Sequence, residues 1–149
     1  MDPYAIGMIK KSPYAKKKIL KGNVVVVLDF KTKERGLNLI KPHSRAAKKN
    51  EIHEIMTTVD KDAAPGKVVN DVAYVGFFEV EEGGVIVIGD SVYIGEKLIG
   101  EVVGFDDTHM PNHQNIVLYS SKDKTGAELN IDLNEEIIFI KKGEEKECV

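Results

Sequence analysis

Cysteine is almost missing from this sequence: Cys148 is the single one in 149 residues. No disulfide can form within the chain, which excludes a disulfide-stapled scaffold. Long hydrophobic runs are missing as well. The longest, Val24-Val25-Val26-Val27-Leu28, falls far short of the roughly 20 apolar residues that span a bilayer as a helix. The opening residues, Met1-Asp2-Pro3-Tyr4, contain no apolar stretch of signal-peptide length. The expectation is a cytoplasmic protein with no membrane partner. Arginine is scarce, with only Arg35 and Arg45 present, and no aromatic stacking motif accompanies the lysines. Nucleic acid is therefore a less favoured partner, though not an excluded one. No serine lies in a nucleophile-elbow sequence, and the glycine pairs around Gly83-Gly84 and Gly100–Gly104 lack the strand–loop–helix setting of a phosphate-cradling loop. No internal repeat is visible.

What remains is an ordinary globular composition, 42% apolar and 30% charged residues, in a chain long enough for one moderate core. The net charge of −3 conceals a strong asymmetry. Residues 1–49 hold 13 Lys or Arg against the acids Asp2, Asp29 and Glu34, whereas residues 50–149 hold eight basic residues and 21 acids. Such segregation can mark a polyanion-binding arm, or a basic segment that folds against the acidic part of its own chain or of a neighbouring copy. The self-complementary reading is preferred.

The spacing of apolar and turn-forming residues predicts a mainly β fold, a small single-domain β-barrel with one amphipathic helix. Residues 1–17 read as a basic arm, 18–141 as the barrel core and 142–149 as a solvated acidic tail. The valine run makes Lys18–Phe30 a strand, because β-branched side chains suit a pleated surface. Leu37–Ile40 reads as a short returning strand. A helix is expected near residues 45–59, capped by Ser44, with Ile52, Ile55, Met56 and Val59 forming one apolar stripe. Further strands are expected at Val72–Val80, Val85–Ile88, Ser91–Ile94, Lys97–Phe105, Asn115–Ser120, Ala127–Ile131 and Glu135–Lys141. Their spacing near ten residues, with glycine-rich turns, indicates a closed or nearly closed barrel. Val25, Val27, Ile86, Ile88, Val102 and Ile116 form the expected core.

Chemistry-bearing residues concentrate in Asp106-Asp107-Thr108-His109-Met110-Pro111-Asn112-His113-Gln114-Asn115. Carboxylate and imidazole are the usual ligands of divalent metals such as zinc, so Asp106, Asp107, His109 and His113 form the candidate metal set. His113 and Asn115, at the mouth of a strand, would face a ligand. Pro42-His43-Ser44 is the second candidate. A serine starting a helix would place His43 near the positive helix end, and Lys41 and Arg45 flank it, a setting for an anion. His53 lies off the stripe and reads as a solvated surface residue.

The elements Val85-Ile86-Val87-Ile88-Gly89, Tyr93, Val103-Gly104, and His113 leading into Ile116-Val117-Leu118-Tyr119 resemble the carboxyl half of the glucitol/sorbitol-specific IIA component of the bacterial phosphotransferase system. The resemblance spans Gly84–Leu129, about a third of the chain. It implies a small barrel. That family carries its phospho-acceptor histidine upstream of the apolar strand, and residues 68–84 contain no histidine, so phosphate relay is not implied. The expected function is a small-ligand-binding module whose site is the 106–113 loop with His43, acting alone or self-associated. A metal-assisted enzyme using that loop, and a polyanion- or partner-binding protein using the basic third, are the alternatives.

Overall fold

The computed structural model describes residues 17–143. The chain is mainly β, as its alternating apolar residues require, and among the described residues it contains no helix. Eleven strands lie among the described residues: β1 (Leu20–Thr32), β2 (Leu37–Asn38), β3 (Ser44–Ala47), β4 (Ile52–Thr58), β5 (Val68–Val69), β6 (Val72–Glu82), β7 (Gly84–Val87), β8 (Ser91–Ile94), β9 (Lys97–Asp106), β10 (Asn115–Tyr119) and β11 (Glu136–Ile140). Seven of them pair in the order β1-β11-β8-β9-β10-β4-β6, and β6 returns to β1, closing a barrel. Closure leaves the barrel no free edge. All these pairings are antiparallel except β10 with β4, which is parallel. Two small ribbons, β2-β5 and β3-β7, lie beside the barrel.

The helix expected near residues 45–59 is absent: the segment forms β3 and β4, joined by a turn at Asn50, whose φ of 76° asparagine tolerates. The misleading stripe has a physical explanation. β4 lies between β10 and β6, and every residue from His53 to Thr58 is buried, on both faces. Ile55 joins the main core while Met56, its neighbour, packs into a second cluster with Leu37, Leu39, Val69, Val72 and Val117. A strand covered on both sides carries apolar residues at spacings that also match a helix. The β-branched residues Ile52, Ile55, Thr57, Thr58 and Val59 favour the strand.

The main core fills the barrel with Leu20, Val24, Ile55, Phe78, Ile86, Val102, Phe105, Ile116, Leu118, Ile137 and Phe139 among others. Ile86, Val102 and Ile116 are buried as expected, and Val27 and Ile88 pack partly against the core. Val25 is 38% exposed, because alternation along β1 turns Val24 inward and its neighbour out. Ala127–Ile131 is not a strand but a set of turns closed by Leu129 N–H to Thr125 O and Ile131 N–H to Gly126 O, at 2.9 and 3.2 Å. No described helix is long and apolar enough to cross a membrane.

Residues 1–16 and 144–149, which include most of the expected basic arm and acidic tail, lie outside the described residues. Lys17, at the arm's end, donates to the buried Asp90 carboxylate at 3.0 Å. Lys21 meets Glu82, Lys31 meets Glu128 and Arg45 meets Glu51. In each of these pairs a cation from the first 49 residues faces an acid from the remainder.

Candidate functional site

Strand register assembles the site. Asp106 on β9 lies opposite Asn115 on β10, Asn115 beside Glu54 on β4, and Glu54 opposite Phe77 on β6. Registered partners share a face, so these four residues form one row across four strands. Their neighbours Phe105, Ile116, Ile55 and Phe78 all join the interior core, which places the row on the outer face. The segment around β2 covers part of it: Leu39 bridges to Asp106 and lies across Gly104, where a side chain on β9 would collide with it.

Asp106 is structural. Its carboxylate accepts from Asn38 N–H at 3.0 Å, Thr108 N–H at 2.9 Å and Asn115 Nδ2 at 3.1 Å. Burial pushes this carboxyl up, but the hydrogen bonds from Thr108, Asn115 and Asn38 outweigh it and hold it below the usual aspartate range. Asp106→Ala would leave those donors buried without an acceptor, and is expected to cost about 2–3 kcal/mol in equilibrium unfolding. Because its pKa is depressed in the fold, Asp106 contributes this stability above its unfolded pKa and loses it as pH falls through the folded value. The wild type and the variant should therefore converge in acid, and a pH-independent gap would contradict the assignment.

Glu54 has the opposite character. Its side chain is only 5% exposed, and among the described residues no hydrogen bond to its carboxyl is closed. Burial pushes it up to about 7, with Arg35 opposing and Asp106 reinforcing the shift. His113 Nε2 lies 3.4 Å from Glu54 Oε1 without closing a hydrogen bond, and this nitrogen is buried with no partner. Asn112 Nδ2, 3.2 Å from His113 Nδ1, donates to it and leaves the ring proton on Nε2. Burial, with His109 and His53 nearby, holds the His113 ring below the usual histidine range despite Asn115. The Asn115 amide donates through Nδ2 to Asp106, and its buried Oδ1 closes no well-formed hydrogen bond, although the side chain acts on the His113 ring. Phe77 meets the His113 ring edge-on at 5.0 Å, and His109 lies 5.1 Å beyond it.

A second polar group lies on the inward face of β4. His53 is buried, not solvated as its spacing suggests, because it lies on the inward face of β4 beside Phe78. Gln114 N–H donates to His53 Nδ1 at 3.0 Å, so the ring proton sits on Nε2 and reaches Glu51 Oε1 at 3.1 Å. Burial holds His53 below the usual range, with Glu51 opposing and Arg45 assisting. Arg45 donates to Gln114 Oε1 at 2.7 Å, and the Gln114 amide donates to Asp106 O at 2.8 Å and to the Asp107 carboxylate. This network is almost fully satisfied, Arg45 Nε being its buried atom without a partner.

Of the expected site residues, His113 and Asn115 belong to the unsatisfied cluster. Asp106 and Asp107 are spent on loop and strand hydrogen bonds. Among the described residues, no three His, Cys, Asp or Glu side chains are arranged to hold a metal ion, so Asp106, Asp107, His109 and His113 do not form the expected metal set. Ser44 opens β3 opposite Val87 and caps no helix, and His43 is exposed. The positive helix end invoked for an anion at His43 does not exist. Glu54 was not legible as a site residue. Its signal is a carboxylate within a strand buried on both faces, which requires the strand to be recognised first.

The fold and site define a mainly β protein with a small buried polar cluster on the outer face of its strands. The model of a family of unknown function, DUF6917, matches residues 14–140, and the chain belongs to that family. No curated protein and no solved structure matches it.

Proposed function

We propose that the protein is a cytoplasmic small-ligand-binding module whose site is the Glu54–His113–Asn115 cluster beside Phe77. One observation carries this reading: two buried polar atoms, His113 Nε2 and Asn115 Oδ1, are left without a well-formed hydrogen bond beside the buried Glu54 carboxyl. Native proteins pair nearly all buried polar groups, and exceptions mark places where water or a ligand completes the set. A carboxyl shifted to near neutral pH by burial is a further mark of a functional site. The ring that closes the cluster belongs to the loop 107–113, most of whose residues are exposed, so a ligand would enter by moving His113 aside. The apolar wall is Phe77 with Val26, its partner on β1.

A fragment collection of mixed charge, titrated into isotopically labelled protein, tests the reading. Binders should shift the resonances of Glu54, Phe77, His113 and Asn115 together. A collection in which no compound perturbs these residues, or in which all binders perturb a different face, would overturn it.

A further inference from the structure

We infer that the ligand presents a hydroxyl group to the cluster, one oxygen that both accepts from His113 Nε2–H and donates to Asn115 Oδ1 or Glu54 Oε1. This rests on the reading of the cluster as a binding site and names the chemistry it recognises. The argument is an inventory of donors and acceptors. His113 offers one N–H, since Asn112 occupies its other ring nitrogen as a donor. Asn115 offers only its oxygen, since its amide nitrogen is committed to Asp106. Glu54 offers carboxyl oxygens, free of hydrogen bonds among the described residues and 3.4 Å from the His113 nitrogen. With Glu54 ionised, above the pH of about 7 at which it titrates, the three groups present one donor and two acceptors.

An ammonium group brings donors alone and would confront the His113 N–H. A carboxylate or phosphate brings acceptors alone and would confront Asn115 Oδ1 and Glu54, with Asp106 next in the row. An ether accepts from His113 but leaves Asn115 Oδ1 unpaired in a buried place, at the full cost of its desolvation. A hydroxyl matches both kinds of group, as a water molecule would. The carbon skeleton attached to it would lie along Phe77, which is half-buried, and Val26, which is exposed. An organic alcohol therefore adds apolar contact to the pairing that a water alone would make.

The test is an isosteric series of probes: 1-propanol, ethyl methyl ether, propylammonium and propionate, each titrated while the His113 and Asn115 side-chain resonances are followed. The alcohol should bind at least about tenfold more tightly than the ether, the difference of roughly one hydrogen bond, and the two ions should leave these resonances in place. His113→Phe keeps an aromatic ring against Phe77 and removes the donor that both oxygens accept from; it should weaken the alcohol and the ether each about tenfold and leave the difference between them in place. An ether or an ammonium that binds as well as the alcohol would overturn the hydroxyl assignment while leaving the binding site standing. If no probe moves either resonance, even at saturating concentration, and a bound water alone fills the cluster, the proposed function falls together with the inference.

Discussion

Phe78→Ala is expected to lower the free energy of unfolding by about 3–5 kcal/mol and the melting temperature by on the order of 10 °C. The ring is fully buried, stacks at 5.4 Å on Phe139 across the barrel interior and lies against His53 at 6.3 Å. Its loss removes apolar contact from β6, the strand that joins β1 to β4, and opens a cavity that neighbours held by closed strand pairing cannot collapse to fill. The measurement is a denaturant titration. An unchanged midpoint would mean that Phe78 does not lie in the barrel core.

Glu54→Gln is expected to act in the opposite direction, stabilising the protein by about 2–3 kcal/mol at about pH 8. The sign follows from proton uptake. In the fold the carboxyl titrates near 7 instead of near its model value of 4.5, so between those two values the native state holds a proton that the unfolded state has released. Stability then falls as pH rises from about 4.5 to about 7 and stays at its lower level above that. Glutamine keeps the shape, carries no charge to bury, and can donate to Asn115 Oδ1. The wild type and the variant should be equally stable near about pH 4 and diverge toward neutrality, as read from melting temperatures across a pH series. A variant less stable than the wild type at about pH 8 would show that Glu54 is held by partners instead of being strained by burial. A residue whose removal strengthens the fold is one kept for something other than folding.

The mainly β class, and eight of the segments that become strands or parts of them, follow from local chemistry: valine- and isoleucine-rich stretches between glycine and aspartate turns. These patterns are carried by near neighbours and survive reading one residue at a time. Three misreadings share a cause that is not local. The stripe at Ile52, Ile55, Met56 and Val59 suggested a helix because β4 is covered on both faces, and its coverings, β2 with β5 outside and the barrel core inside, come from distant parts of the chain. His53 appeared solvated for the same reason. Ala127–Ile131 looked like a strand, but the apolar residues Leu129 and Ile131 are spaced by a turn that anchors them in the core.

The candidate site divides along the same line. His113 and Asn115 were legible because imidazole, amide and carboxylate groups crowd one polar loop beside an apolar strand. Which of the crowded groups are free was not legible. Asp106 and Asp107 are consumed by hydrogen bonds to Asn38, Thr108, Asn115 and Gln114, partnerships fixed by loop geometry. Glu54, 59 residues before His113, reaches the cluster only because β10 pairs parallel with β4 in a register that sets Asn115 beside it. By itself the sequence determined the strands, the polar loop and the segregation of charge, since each depends on residues close along the chain. The tertiary structure alone decided which faces are covered, which polar groups remain unpaired and which carboxyl is buried, because those depend on strand order and register, and a shift of one residue would turn every side chain of β4 to the other face.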